Sequence, residues 1–500
     1  MKNVLMLYFC LMGGAVLAAA QSPTFSVRDF GAAGDGQSSD TAALLIGRSA
    51  SAQTAIFDAA AYGAKPDSPV AATAAIQKAI DAAAAAGGGA VTFPRGTYLT
   101  GALFLKSRVE LRLDDGVTLR AVQDDAAYPE IVSRIAGIEM LWPAAVINAV
   151  GQKSVKLTGK GALDGNGDFW WRKYWGADRK SGMRADYERR GLRWAVDFDC
   201  KRPQAVLFKD CEEVTVSGIT ILRSPFWTLH LLYCARVTVD GVTIKNNIGG
   251  YGPSSDGIDV DSSRDVLIQN CDIECYDDNI CLKAGRDADG LRVNRPTENV
   301  VVRNCITREG HGMFTLGSET SGGIRNVEVY GIRALGTRTG VRFKSARPRG
   351  GVVENIRIRD ITMENVRNPF EVGLAGMVND YPVPADMADA QKPAHWKVLT
   401  QAVEPPERGI PEYRNISISN VMAKGASQAF NVCGDPDKPI RAVRLAHINI
   451  QARKAGRIQQ AADWTMEKVS VEVEDAKPVR LESCRNVASP RVVGAGGLRD

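Results

Sequence analysis

A short apolar pattern recurs along most of this chain, and its spacing constrains the fold more than any other feature. Two apolar residues separated by one are followed by two polar or glycine positions and a third apolar residue. The pattern reads Val214-Thr215-Val216-Ser217-Gly218-Ile219, Val237-Thr238-Val239-Asp240-Gly241-Val242, Val266-Leu267-Ile268-Gln269-Asn270-Cys271 and Val300-Val301-Val302-Arg303-Asn304-Cys305. Further copies start at Val155, Val327, Ile356, Ile416 and Val443, at steps of 23 to 34 residues with two near 60. That is the period of a solenoid. Alternating β-branched residues mark short strands, and Asn, Asp and Gly mark the turns between them. Strands so short cannot bury an apolar face alone, so the copies must stack, and a parallel β-helix results. A leucine-rich repeat would need Leu-x-x-Leu-x-Leu spacing where these copies favour Val and Ile, and the strand alternation excludes helical repeats.

A solenoid grows by repetition, so 500 residues can form one long domain. The chain is expected to divide into a signal peptide over 1–20, an extension over 21–56, the β-helix over 57–485 and a tail over 486–500. The first twenty residues carry one charge, Lys2, then an apolar run and Ala18-Ala19-Ala20, the pattern of a secretory signal. The mature protein is therefore expected in the periplasm or outside the cell, with no later apolar run long enough to hold it in a membrane. In the extension, Phe25, Gly31, Asp35 and Thr41 repeat as Phe57, Gly63, Asp67 and Thr73. The second copy leads into Ala71–Ala86, an Ala-rich stretch ended by three glycines. It predicts a helix that plugs the open end of the solenoid core.

Losing Lys2 changes the net charge from +5 to +4, a mild balance that would not repel a polyanion. No basic stretch of the kind that tracks phosphates is present, so nucleic acid is not an expected partner. Nine cysteines follow the signal, an odd number with no paired Cys-x-x-Cys motifs, so no zinc site is expected. Cys271 and Cys305 occupy positions where other copies carry Ile or Val, and they read as small buried hydrophobes. Three stretches break the repeat, at 121–145, 165–203 and 368–411. Insertions in a solenoid become loops on one face, often the binding face. Their aromatics, Trp170, Trp171, Tyr174, Trp175, Tyr381 and Trp396, read as pins for these loops slightly more readily than as platforms for a ligand.

Four segments place polar residues where the repeat is otherwise regular: Ser254-Ser255-Asp256-Gly257-Ile258-Asp259, Tyr276-Asp277-Asp278-Asn279, Gly310-His311-Gly312 and Arg342-Phe343-Lys344. The steps Asp256 to Asp277, Asp278 to His311 and His311 to Arg342 are 21, 33 and 31 residues, each about one coil. The four segments should therefore share one face on consecutive rungs, with the carboxylates roughly 5 to 10 Å apart given a rung spacing near 4.8 Å. Crowded carboxylates raise the pKa of at least one member, so one aspartic acid can serve as an acid while its neighbours stay ionised. Each piece alone is common. Asp-Asp occurs in many turns, Asp259 and Asp261 could serve only as turn caps, and Arg342 and Lys344 could equally be solvated. The order and the spacing together give the set its weight.

With these four segments the sequence resembles glycoside hydrolase family 28, the polygalacturonases, whose motifs are Asn-Thr-Asp, Asp-Asp, Gly-His-Gly and Arg-Ile-Lys. The resemblance runs from about Phe57 to Val443. It implies an all-β, single-stranded right-handed parallel β-helix, without cofactor or metal, acting as a monomer on an acidic pectic polysaccharide. It implies inverting hydrolysis of α-1,4-galacturonosyl bonds. Asp277 would be the general acid, Asp256 and Asp278 would position and deprotonate the water, and His311 would tune the acid. Arg342 and Lys344 would hold a galacturonate carboxylate. Ser254-Ser255 departs from Asn-Thr, which puts one substrate or supporting contact in doubt, whereas Phe343 for Ile should face away from Arg342. Gly317-Ser318-Glu319, Ser321-Gly322-Gly323 and Arg349-Gly350-Gly351 resemble exo-acting bacterial members. The alternatives are a rhamnogalacturonan or other pectic-oligosaccharide hydrolase, a Ca²⁺-dependent pectate lyase, and a non-catalytic adhesin.

Overall fold

The computed structural model describes residues 55–248, 251–374 and 392–494. The expected signal peptide, nearly all of the extension and Tyr381 lie outside them. Among the described residues one large sheet system of parallel strands winds as a right-handed β-helix. Each coil contributes to three faces. One face runs through Val206–Lys209, Leu229–Leu232, Ile258–Asp261, Ile280–Lys283, Gly312–Leu316, Thr339–Lys344 and Asn368–Gly373, each strand paired in parallel to the next. The recurrent apolar pattern builds the other two faces and the corner between them. Its glycine or polar position turns that corner in the left-handed region: φ is +72° at Gly218, +64° at Gly241, +56° at Asn270 and +54° at Asn304. Glycine and asparagine tolerate that conformation best, which is why they recur there.

Inward residues of all three faces form one continuous core of Val, Ile and Leu, and Cys271 and Cys305 sit in it as buried free thiols. A helix over Thr73–Ala85 lays Ile76, Ala79, Ile80 and Ala83 on the first coils. At the other end Arg485–Val487 and Arg491–Gly494 still pair with the Ala461–Val473 strand, so paired coils continue past the expected boundary at 485.

The first insertion is an antiparallel hairpin, Glu130–Ile135 with Ile138–Pro143. The second carries three short helices, Asp168–Trp175, Met183–Arg189 and Val196–Asp199. The described part of the third carries a helix over Ala394–Leu399. Trp170, Trp171, Tyr174 and Trp396 are buried, as loop pins should be. The Trp396 indole N–H donates to Asp199 at 2.9 Å and its ring meets Trp194 at 4.9 Å, joining the second insertion to the third. Trp175 differs, being half-buried against Tyr276 and facing a cleft.

Candidate functional site

Strand alternation decides which side chains leave the core. In the first-described face Ile258, Val260, Ile280, Leu282, Val341 and Phe343 point inward. Asp259, Asp261, Cys281, Lys283, Arg342 and Lys344 therefore point out, on the same side of consecutive rungs. The turns entering these strands supply Asp256, Asp277, Asp278 and His311. All six expected residues come together, and five of them (Asp256, Asp277, His311, Arg342 and Lys344) line one cleft of about 560 Å³. Asp278 lies fully buried beneath them.

Asp278 is the hub. One carboxylate oxygen accepts from Arg342 at 3.0 Å and the other from the Lys344 ammonium at 2.7 Å. Its own backbone N–H donates to Asp277 at 3.0 Å. The cation pair is thus not solvated: it is spent on an internal carboxylate. Gly312 explains one glycine of the Gly-His-Gly segment, since a Cβ there would lie 2.5 Å from that Asp278 oxygen. His311 Nδ1 lies 3.4 Å from Asp277. The nearest oxygens of Asp256, Asp277 and Asp278 lie within 4.8 Å of one another, closer than rung spacing alone suggested, because side chains from adjacent turns converge. Ser255, which stands where the resemblance has Thr, is buried with its hydroxyl donating to the Gly252 carbonyl at 2.6 Å.

The structure adds participants that were not among the six expected residues. Asp259 is no turn cap. It is a fully buried strand residue, and Lys283 Nζ stands 3.5 Å from both Asp259 and Asp256 and 3.4 Å from Glu319. The same ammonium lies over the Trp227 ring at 4.8 Å. Asp261 is likewise a buried strand residue, bonded at 2.9 Å to Arg134, which the first insertion delivers from 127 residues away.

The surroundings divide the carboxylates into two kinds. Burial pushes Asp256 well above the ordinary range, with Asp259 and Asp277 adding to it. Burial also pushes Asp259 up to about 7, against the pull of Lys283. At Asp277 burial is outweighed by the charge and hydrogen bond of His311, which hold it at about 2. At Asp278 burial is outweighed by Lys344 and Arg342, which hold it well below the ordinary range. The Asp277 charge in turn raises His311. The rise in proton affinity expected from crowding is found at Asp256. It is not found at Asp277, which His311 holds low.

A divalent cation does not suit these carboxylates. Both Asp278 oxygens are engaged by protein cations, and Lys283 already stands where an ion bridging Asp256 and Asp259 would stand. The third donor near that pair, the Cys281 thiol, is held in its neutral form by burial.

The cleft wall is completed by the insertions. Trp175, Arg184, Arg193 and Asp197 from the second insertion and Ala136 from the hairpin tip all line it, together with Phe226, Trp227 and Glu319.

The family model for Glycosyl hydrolases family 28 matches residues 90–374, more than half of the chain. A model for Rhamnogalacturonase A/epimerase, pectate lyase-like, matches residues 56–112. The Vitis vinifera protein named "Probable polygalacturonase" is 27% identical over 90% of this chain and 80% of its own. An endo-polygalacturonase of Pectobacterium parmentieri is 29% identical over 62% of this chain and 73% of its own. Among solved structures, a hyperthermoactive exopolygalacturonase from Thermotoga maritima aligns with a TM-score of 0.68 and 26% identity, covering 81% of this chain and 89% of that one.

Proposed function

The chain belongs to glycosyl hydrolases family 28 and is a glycoside hydrolase, and from that premise we propose that it is an inverting, exo-acting polygalacturonase. The observation that carries the reading is the meeting of Asp256, Asp277, His311, Arg342 and Lys344 in one cleft of a family 28 chain, with the Asp278 carboxylate directly beneath them. Arg342 and Lys344 pair with a galacturonate carboxylate beside the scissile bond, a charge-assisted contact in a partly desolvated site. That exchange withdraws both cations from Asp278 and brings a new negative charge near Asp277. Both changes raise the proton affinity of the two aspartates. The proton on His311, 3.4 Å away, can then pass to Asp277.

As general acid, Asp277 delivers that proton to the glycosidic oxygen as its bond to the anomeric carbon breaks. A water held between Asp256 and Asp278 attacks that carbon from the opposite face and loses its proton to Asp278. The new hydroxyl stays on the sugar, the leaving sugar keeps the acid's proton, and the anomeric configuration inverts.

Exo-action is supported by the insertions in the cleft wall, which leave room for a chain end more readily than for a chain passing through. Action from the non-reducing end would release mono- or digalacturonate. The mature protein is further proposed to be exported and to act as a monomer. The test is viscometry alongside reducing-end release on polygalacturonate. Many reducing ends with slowly falling viscosity support exo-action. A steep early fall with mid-sized oligomers would replace it with endo-action, and no reducing ends at all would refute the hydrolase reading on this substrate.

A further inference from the structure

Beyond Arg342 the cleft opens into a second groove along the following coils, lined by Arg338, Arg367, Ser427, Arg453 and Lys454. Register stacks them. Arg338 and Arg367 each precede a residue of the pair Thr339 and Asn368. Ser427 and Arg453 lie between the pairs Ala426 with Ala452 and Gln428 with Lys454. The Ser427 N–H donates to the Arg367 carbonyl, joining the two halves into one column. It spans three rung steps, about 14 Å.

This column breaks the habit of the rest of the solenoid. On the neighbouring flank, ion pairs link side chains of adjacent coils: Glu298 with Arg325, Glu328 with Arg359, Glu354 with Arg414, and Glu412 with Arg441. In the groove Arg338 and Arg367 lie one above the other, an arrangement that costs stability when like charges lie opposite each other, and Ser427 separates them from Arg453. Arg338, Arg367 and Lys454 are exposed, and among the described residues no carboxylate lies within ion-pair distance of them. Among the described residues Arg453 donates only to the Ser427 hydroxyl, at 2.9 Å. Glu371, at the cleft end of the groove, is taken by Arg342 at 3.3 Å. Glu474 and Asp475 close its far end.

We infer that this column is a binding track for the distal, uncleaved part of a polyuronate chain, whose carboxylates recur sugar by sugar and pair with its exposed cations. The inference rests on the hydrolase reading for which end is cut. The track itself requires only a linear polyanion carrying carboxylates. It gives the enzyme a preference for long substrates without adding anything at the scissile bond. The acidic pair at the far end sets its length.

The test compares wild type with the triple variant Arg367→Gln, Arg453→Gln, Lys454→Gln, on long polygalacturonate and on trigalacturonate, at low and high salt. An exposed charge contact contributes a factor of roughly two to five, so KM on the polymer should rise about tenfold or more with kcat unchanged. Kinetics on trigalacturonate, which leaves at most two sugars beyond the cut, should move less than about twofold. Salt should raise the wild-type KM on the polymer toward that of the variant, since exposed charges are screened at a distance of about 10 Å in 0.1 M salt. An unchanged polymer KM, or equal losses on both substrates, would overturn the track. Electrophoresis through gels containing polygalacturonate reads binding without catalysis. Wild type should be retarded and the variant much less so, even if neither substrate is cleaved, in which case only the hydrolase reading falls. Equal retardation of both proteins, or retardation of wild type by DNA as strong as by polygalacturonate, would overturn a polyuronate track.

Discussion

Replacing Lys283 with methionine keeps an apolar stem of similar length and removes the one ammonium that lies over Trp227 and is shared by Asp256, Asp259 and Glu319. All four groups are buried, so little solvent screens the change. Removing one partner from a buried ion pair typically costs about 3 to 5 kcal/mol, because the other charge is left uncompensated. Here the cost must depend on pH. Asp256 and Asp259 have folded proton affinities above their unfolded values. Their contribution to stability is therefore complete at acid pH and is lost as pH rises, for Asp259 through about 7. Glu319 is the opposite case: burial is outweighed by Lys283 and Lys344, which hold it at about 2, so its contribution is present above its unfolded value. Without the ammonium, Asp256 and Asp259 rise further and Glu319 loses its main counter-charge. The folded variant then binds more protons than the unfolded chain over a wider range, and its stability falls more steeply with pH. The expected deficit is about 3 to 5 kcal/mol at pH 8 and less than half of that at pH 5. For a chain of this size that is a melting-temperature loss of roughly 5 °C at pH 8 and about 2 °C at pH 5, read by calorimetry. Equal losses at the two pH values would refute the reasoning and leave Lys283 as a packing residue on Trp227.

Asp277→Asn keeps the shape of the proposed acid and removes its proton, so turnover on polygalacturonate should drop by about 10²- to 10⁴-fold with little change in binding. Near-normal turnover of the purified variant would remove Asp277 from that role. Arg342→Ala and Lys344→Ala should each impair cleavage of galacturonate more than of its methyl ester, because only the free acid offers them a charge. Comparable losses on both substrates would show that these cations act through Asp278 alone.

The strands were legible because each apolar copy carries its own alternation and its own left-handed corner at Gly218, Asn270 or their equivalents. The six expected site residues were legible because coil spacing turns separation in sequence into adjacency in space. The strand role of Asp259 was hidden because Asp256 and Gly257, just before the strand, look like a turn that it does not share; parity with Val260 would have placed it outward in the strand. Lys283 could have been found the same way, as the rung partner of Asp261. Arg134 could not. Its bond to Asp261 spans 127 residues and depends on how a hairpin folds back, which no local pattern encodes. The protonation pattern was also beyond reach, since it rests on which carboxylate Lys283, Arg342 and Lys344 each face.

The central claim, that this cleft hydrolyses polygalacturonate with inversion, is tested most directly by proton NMR of the digestion followed from its first minutes with a chelator present. Saturated galacturonate products should form, with new reducing ends that appear first as the β-anomer and equilibrate later, at a rate the chelator does not change. Reducing ends that appear first as the α-anomer would contradict inversion. Unsaturated products that vanish on chelation would contradict hydrolysis itself.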